Sequence, residues 1–276
     1  LMLDGWNRNL PWRWLAAFGL FHGLNEWLDL LTLSLGDTLT FQWVRLGLMT
    51  ASFLPLVEFG RRGLARQGIK ALGAWLYFYF PLLALTALGA WAGMSGLNAA
   101  SRYALALPGG LLAGCALWRA AAAADGAWQP GLRLAVGSML FYGLAAGLVV
   151  PAADVPPASW LNYDGFLAVT GMPIQLVRTL CALGIMAGIW LHGQRCKTGK
   201  PYFGRIGRWP YLVTFVTLIL LGWLVTEWRG YSVEAEMRER LLRQAVEIAQ
   251  SLPVDKVKAL SFTAADRGTP AFERVR

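Results

Sequence analysis

The chain has 276 residues, 56% hydrophobic and 15% charged, with a mean hydropathy of +0.45. That composition excludes an ordinary soluble domain of this length. The formal net charge is +9, but the basic residues collect in short loops between apolar runs, which reads as topology-setting charge and not as a nucleic-acid surface.

A hydrocarbon core of ~30 Å needs ~20 predominantly apolar residues per helix. Seven runs approach that length, at 13–34, 39–59, 71–92, 104–124, 132–151, 166–191 and 210–228. The first is too long and too polar for a signal peptide and lacks a small-residue cleavage site. The predicted fold class is therefore all-α: a polytopic membrane helix bundle of about seven transmembrane helices over residues 1–228. An extracytoplasmic amphipathic helix and the start of a further domain follow in residues 229–276.

Lys and Arg accumulate in cytoplasmic loops. The segment after span two holds Arg61, Arg62, Arg66 and Lys70, and the segment after span six holds Arg195, Lys197, Lys200, Arg205 and Arg208, in both cases with no acid. The loop between spans four and five carries Arg119 and Arg133 against Asp125. The opposite loops are poor in base, with Asp37, then Arg102, then Asp154 and Asp164. Alternation places the N-terminus inside, with Arg8 and Arg13, and the chain after Trp228 outside. Trp12, Trp14, Trp91, Trp160, Trp190, Trp209 and Trp228 fall near predicted span ends and read as a lipid-facing aromatic belt. Trp75 and Trp223 lie a turn or two further in.

Span one contains the most unusual polar cluster. His22, Glu26 and Asp29 are spaced i, i+4, i+7 and share one helical face, with Asn25 beside them. Charges at membrane depth are costly and face a partner or a cavity. Arg45 lies about six residues into span two, or ~9 Å at 1.5 Å per residue, and Asp29 lies at a similar depth in span one. The short connection makes the two helices antiparallel neighbours, so Arg45 is expected to pair with Asp29 or Glu26. Arg178, near the middle of span six, is a second candidate partner. At the inner end of span two, Glu58 can be neutralised by Arg61 and Arg62. The cluster admits three readings: a buried ion-pair network that fixes packing, a ligand- or ion-sensing pocket, or a metal site or proton relay. The metal reading is short of ligands, because the second histidine, His192, is placed half a bilayer away.

Gly143-x-x-x-Gly147 and Gly184-x-x-x-Gly188 match the small-xxx-small pattern of close helix packing. Pro55, Pro81, Pro108 and Pro173 are expected to kink or break their helices. Cys115, Cys181 and Cys196 show no metal-binding or disulfide spacing and read as structural. No nucleophile elbow, zinc-protease motif, phosphate loop or dinucleotide fingerprint occurs, so no catalytic residue, metal site or cofactor is named.

The chain changes character at Trp228. Residues 1–228 carry 25 charged side chains and the last 48 carry 16. Over 231–252, Val233, Met237, Leu241, Ala245, Ile248 and Leu252 form an apolar stripe among Glu and Arg. This predicts a helix that continues span seven outward as one rod. The stripe suits packing on the chain's own downstream domain better than a homodimer. Pro253 ends it. A short helix at 254–260, a turn region at 261–270 and the first turns of another helix at 271–276 are expected to follow. Both termini read as fragment ends.

The segments FGLFHGLNEWLD (18–29) and SFLPLVEFGR (52–61) resemble the N-terminal membrane region of bacterial sensor histidine kinases and related diguanylate cyclases. Residues 245–274 resemble the opening of their extracytoplasmic Cache-like (PAS-like) sensor domain. The resemblance implies a membrane sensor or input region in the bacterial inner membrane, partnered by the lipid bilayer, a small-molecule ligand and, as a homodimer, a second copy. It also implies a further span leading to PAS, kinase or cyclase modules. No phospho-acceptor or cyclase motif occurs in 1–276, so no catalytic residue carries over. A small transporter or channel using the His22/Glu26/Asp29/Arg45 cluster is the alternative, and a membrane-embedded enzyme a third.

Overall fold

The computed structural model describes residues 10–35, 38–69, 89–123, 130–195 and 209–251, with isolated positions in 82–87 and 258–272. Among these the chain is helical, with no strand and one isolated bridge between Val150 and Asn162. It divides into two compact units, Leu1–Tyr202 and Phe203–Arg276.

The first unit contains α1 (Trp12–Leu35), α2 (Leu39–Arg66), α3 (Gly93–Ser101), α4 (Leu107–Ala122), α5 (Pro130–Gly147), α6 (Tyr163–Thr170) and α7 (Ile174–Arg195). Thr38 caps α2, its hydroxyl accepting from Phe41 N. Pro55 sits inside α2 without breaking it, since the helix runs unbroken for 28 residues. Pro108 acts more strongly. Lacking an N–H, it follows a π-helical segment, Arg102–Ala106, in which Leu107 N donates to Arg102 O five residues back. Pro173 and Gly171 (φ +69°) split the predicted sixth span into α6 and α7. Only glycine adopts that left-handed conformation without strain.

Helices α1, α2, α4, α5 and α7 pack pairwise in chain order. Small residues set the spacing. A Cβ on Gly110 would lie 2.3 Å from the Gly143 Cα, and one on Gly188 would lie 2.5 Å from the Gly131 carbonyl oxygen. Gly147 meets Leu107 and Gly184 meets Ser138, so all four small-xxx-small glycines lie at helix contacts. Phe53, Leu56, Leu105, Leu117 and Met139 fill the centre.

The surface pattern is the reverse of a soluble bundle. Leu20, Phe21, Phe141, Leu180 and Met186 point outward, whereas Asn25, Ser52, Glu58, Arg61, Arg102 and Arg178 are buried. Among the described residues two segments, Gly89–Ala122 and Ile174–Gly193, are long and apolar enough to cross a bilayer. Only 22% of the second is buried, unlike the core helix of a soluble protein.

Three readings of the sequence need correction. Arg102 is not a loop residue: the helix containing it begins at Gly93 and not at 104, and Arg102 is buried within it. Trp12 does not face lipid, because at 1% exposure it packs on Phe59. Residues 166–191 are not one continuous helix. The belt reading suits Trp91 and Trp160, which are exposed. Cys115 and Cys181 are free thiols.

The second unit is dominated by α8, Trp209–Ser251, a 43-residue helix that passes Trp228 without interruption. At 1.5 Å per residue it is ~65 Å long. Its charged half carries three i,i+4 pairs with Glu N-terminal to Arg, the favourable order: Glu234–Arg238, Glu236–Arg240 and Glu239–Arg243. Met237, Leu241 and Ile248 of the apolar stripe are exposed. Further on, Ala264–Asp266 forms a 3-10 turn with a capping box between Thr263 and Asp266, inside the expected turn region. The third span for the most part, the basic loop 196–208 with Cys196, the loop acids Asp37 and Asp125, Trp75, Pro81 and most of the helices expected at 254–260 and 271–276 lie outside the described residues.

Candidate functional site

One group of polar residues of the first unit gathers around a cavity of about 530 Å³. Asn25, Glu26 and Asp29 come from the C-terminal half of α1, and Arg45 from the N-terminal half of α2. Asn98 comes from α3, Arg102 from the π segment, Tyr163 from the start of α6 and Arg178 from α7. Helix pairing brings them together: α1 and α2 are antiparallel, so late residues of one meet early residues of the other.

Arg45 Nε lies 3.0 Å from Asp29 Oδ1, and Arg45 also donates to Thr32 Oγ1. This is one of the two pairings that depth suggests. Asn25 Nδ2 donates to Asp29 Oδ2 at 3.3 Å. A carboxylate only accepts, so the amide nitrogen must face Asp29 and the carbonyl Oδ1 faces away. Asn25 is 2% exposed, and its buried Oδ1 has no hydrogen-bond partner among the described residues.

Arg178 does not join the acids, contrary to its expected second role. Its Nε and Nη2 donate to Ala145 O at 3.1 and 3.0 Å, Nη2 to Val149 O at 2.6 Å, and Nη1 to the Tyr163 hydroxyl at 3.0 Å. Those carbonyls stand at the C-terminal end of α5, where no further helical N–H reaches them and the helix dipole is negative. Arg178 is thus a side-chain cap for α5, and four donations occupy most of its five N–H groups.

Arg102 is different. Its Nε donates to Asn98 Oδ1 at 2.9 Å and its Nη1 to Ala146 O at 3.5 Å. A guanidinium has five donors, so three have no partner among the described residues, although Arg102 is 6% exposed. The sequence reading assigned this residue to a loop. The signal that would have found it is the i,i+4 spacing of Asn98 and Arg102 in a run of small helix-compatible residues.

His22 lies at the base of the cluster. Its Nδ1 is 3.1 Å from Ser52 Oγ, and its Nε2 is 2.8 Å from the Tyr142 hydroxyl. Ser52 Oγ donates its proton to Met49 O at 2.6 Å, which leaves it an acceptor. Nδ1 therefore carries the imidazole hydrogen, and Nε2 accepts from Tyr142. Both nitrogens are occupied, which argues against a metal at His22. Glu26 Oε1 stands 3.5 Å from Nε2, too far for a hydrogen bond to it. Phe18 stacks on the imidazole at 5.1 Å. Below, an apolar cavity of about 400 Å³ between α1, α5 and α7 is walled by Phe18, Met139, Ile185 and Met186, and Glu26 lines both cavities. His192 is buried near the other end of α7.

At the opposite end of α2, Glu58 is enclosed by cations. Arg61 Nε and Nη2 donate to its two oxygens, each at 2.7 Å, and Arg62 donates to Oε1. Arg62 also stacks on Trp14, 5.1 Å from the ring centre. Among the described residues no group of three His, Cys, Asp or Glu side chains is placed to hold a metal ion.

Comparison of the chain with protein-family models, characterised proteins and solved structures gives no match. The class the geometry defines is a helical body with apolar outer faces and a polar cavity lined by six helical segments, α1, α2, α3, the π segment, α6 and α7.

Proposed function

We propose that the chain is the membrane input region of a bacterial signal-transduction protein, and that the polar cavity is its ligand-sensing pocket. The observation that carries this reading is the cavity itself. It gathers Glu26 and Asp29 of α1 with Arg45, Arg102 and Arg178 from three further helical segments, in a body whose outer faces suit lipid. Buried charge is expensive at membrane depth, and a cavity around it makes room for a ligand.

In this reading about seven spans cross the inner membrane, with the N-terminus cytoplasmic. The cavity then opens toward the extracytoplasmic side, and Glu58, Arg61 and Arg62 lie at the cytoplasmic end. Ligand binding shifts the population of helix arrangements, and α8 carries that bias along its length. The resemblance of residues 18–29 and 52–61 to sensor histidine kinases supports the same assignment.

Reporter fusions after residues 67, 155, 200 and 250 test the topology, with cytoplasmic, external, cytoplasmic and external signals expected in that order. Reading the coding sequence past codon 276 tests the assignment. A kinase or cyclase module is expected, and a stop codon there sinks it.

A second reading, a small transporter, draws on Glu26 lining both the polar and the apolar cavity. Solute flux into proteoliposomes that is lost in Glu26→Gln would favour it over sensing.

A further inference from the structure

The unspent hydrogen-bonding groups of the cavity have a definite chemical character. Arg45 is matched by Asp29, and Arg178 is largely committed to the end of α5. What remains on one side is Arg102, with three donors unpartnered among the described residues. What remains on the other is acceptor capacity, namely the buried Asn25 Oδ1 and the Glu26 carboxylate.

We infer that the cavity binds a small organic carboxylate that also carries a hydrogen-bond donor, such as a hydroxy acid or an amino acid. The inference rests on the reading of the cavity as a ligand site. The carboxylate would take the free edge of Arg102, whose planar fork matches two oxygens at once. The hydroxyl or ammonium would answer Asn25 Oδ1 and Glu26. A polar side chain as buried as Asn25 costs free energy while its carbonyl is unmatched, and a ligand donor removes that cost on binding.

Charge narrows the class further. With Arg45 and Asp29 cancelling, Arg102, Arg178 and Glu26 remain, so a hydroxy-acid anion balances the cavity and a zwitterionic amino acid leaves it one charge positive. Inorganic phosphate near neutral pH brings up to two charges beside Glu26, one more than the cavity balances. A simple amine has no group for Arg102. The volume of about 530 Å³ accommodates a molecule of several non-hydrogen atoms with its water.

The test uses the full chain in nanodiscs, with binding read by thermal shift and by calorimetry. Five probes are compared: L-lactate, L-serine, propionate, ethanolamine and inorganic phosphate. L-lactate or L-serine is expected to bind. Propionate, which lacks the donor, should bind at least about tenfold more weakly. Ethanolamine and phosphate should not bind measurably. Arg102→Gln should weaken the best probe at least about tenfold. Should that variant not fold, the order of the five probes on the unaltered protein still decides.

Binding of ethanolamine or phosphate without the carboxylates overturns the inference. So does an absence of binding by all five to protein shown to be folded, or affinity unchanged in Arg102→Gln. Carboxylate binding accompanied by carboxylate flux into proteoliposomes sustains the ligand class and overturns the sensor reading instead.

Discussion

The two charged clusters at the ends of α2 both set carboxylates against arginines and differ in what they leave undone. At one end Glu58, Arg61 and Arg62 sit within a single turn of one helix, and both oxygens of the acid are taken. At the other end the charges come from four helical segments around a cavity, and among the described residues Arg102 and Asn25 keep groups unmatched. A saturated cluster has spent its interaction energy on the fold. An unsaturated one holds it in reserve, because a buried donor or acceptor without a partner costs stability that natural proteins retain mainly at sites of function. The degree of saturation, more than the presence of charge, separates the two.

The sharpest way to break this comparison is to remove one arginine from each cluster. Arg61→Met leaves Glu58 buried with one partner fewer and should cost about 3–5 kcal/mol. Arg102→Met removes a cation that is only partly partnered and should cost less than about 1 kcal/mol, or stabilise. Unfolding in mixed detergent measures both. Equal costs would show that the two clusters are alike in kind.

Arg178→Gln gives the next largest effect. It strips the cap from α5 and should destabilise the protein by about 2–4 kcal/mol. Arg178→Lys should recover only part of this, because an ammonium cannot reach three acceptors in one plane. Recovery in full would mean that charge alone matters there.

The Arg45–Asp29 pair is half-exposed, at 26% and 43% of its side chains, and its coupling should be near ~1 kcal/mol. Arg45→Glu and Asp29→Arg should each destabilise, and the double swap should recover most of the loss. A double swap no better than its parents removes the pairing from the account of the site. Smallest of all, Glu239→Gln in α8 should cost about 0.3–0.5 kcal/mol at low salt and less at high salt. A larger effect would mean that this stretch of α8 is packed against something.

Much of the frame is legible in the residues. Apolar run length locates α1, α2, α5 and the first half of α8, and the Gly spacing locates the α4–α5 and α5–α7 contacts. The i, i+4, i+7 spacing of His22, Glu26 and Asp29 marks the cavity wall, and helix depth pairs Arg45 with it. The missing part concerns residues whose local sequence looks like a loop or an ordinary span. Arg102 lies in a small-residue stretch of low hydropathy, and only its continuation through the π segment into α4 makes it a buried helical residue. Tyr142 and Ser52 are unremarkable in sequence, yet they fix the tautomer of His22 from two other helices. Trp12 has the position of a membrane-interface residue, but Phe59 covers it.

The sequence by itself determined that the protein is helical, where its charges fall along the chain, and that an unbroken helix carries the change of character at Trp228. Those properties depend on composition and on short-range periodicity, which a chain displays before it folds. Tertiary structure decided which charges are satisfied. Arg178 and Arg102 are both buried arginines in helices, and their neighbourhoods along the chain do not show which of them has its donors taken. The end of α5 supplies Arg178 with carbonyls and supplies Arg102 with only a long contact. Saturation of a buried charge is a matter of what other helices bring within ~3 Å of it, and that distance is set only when the bundle closes.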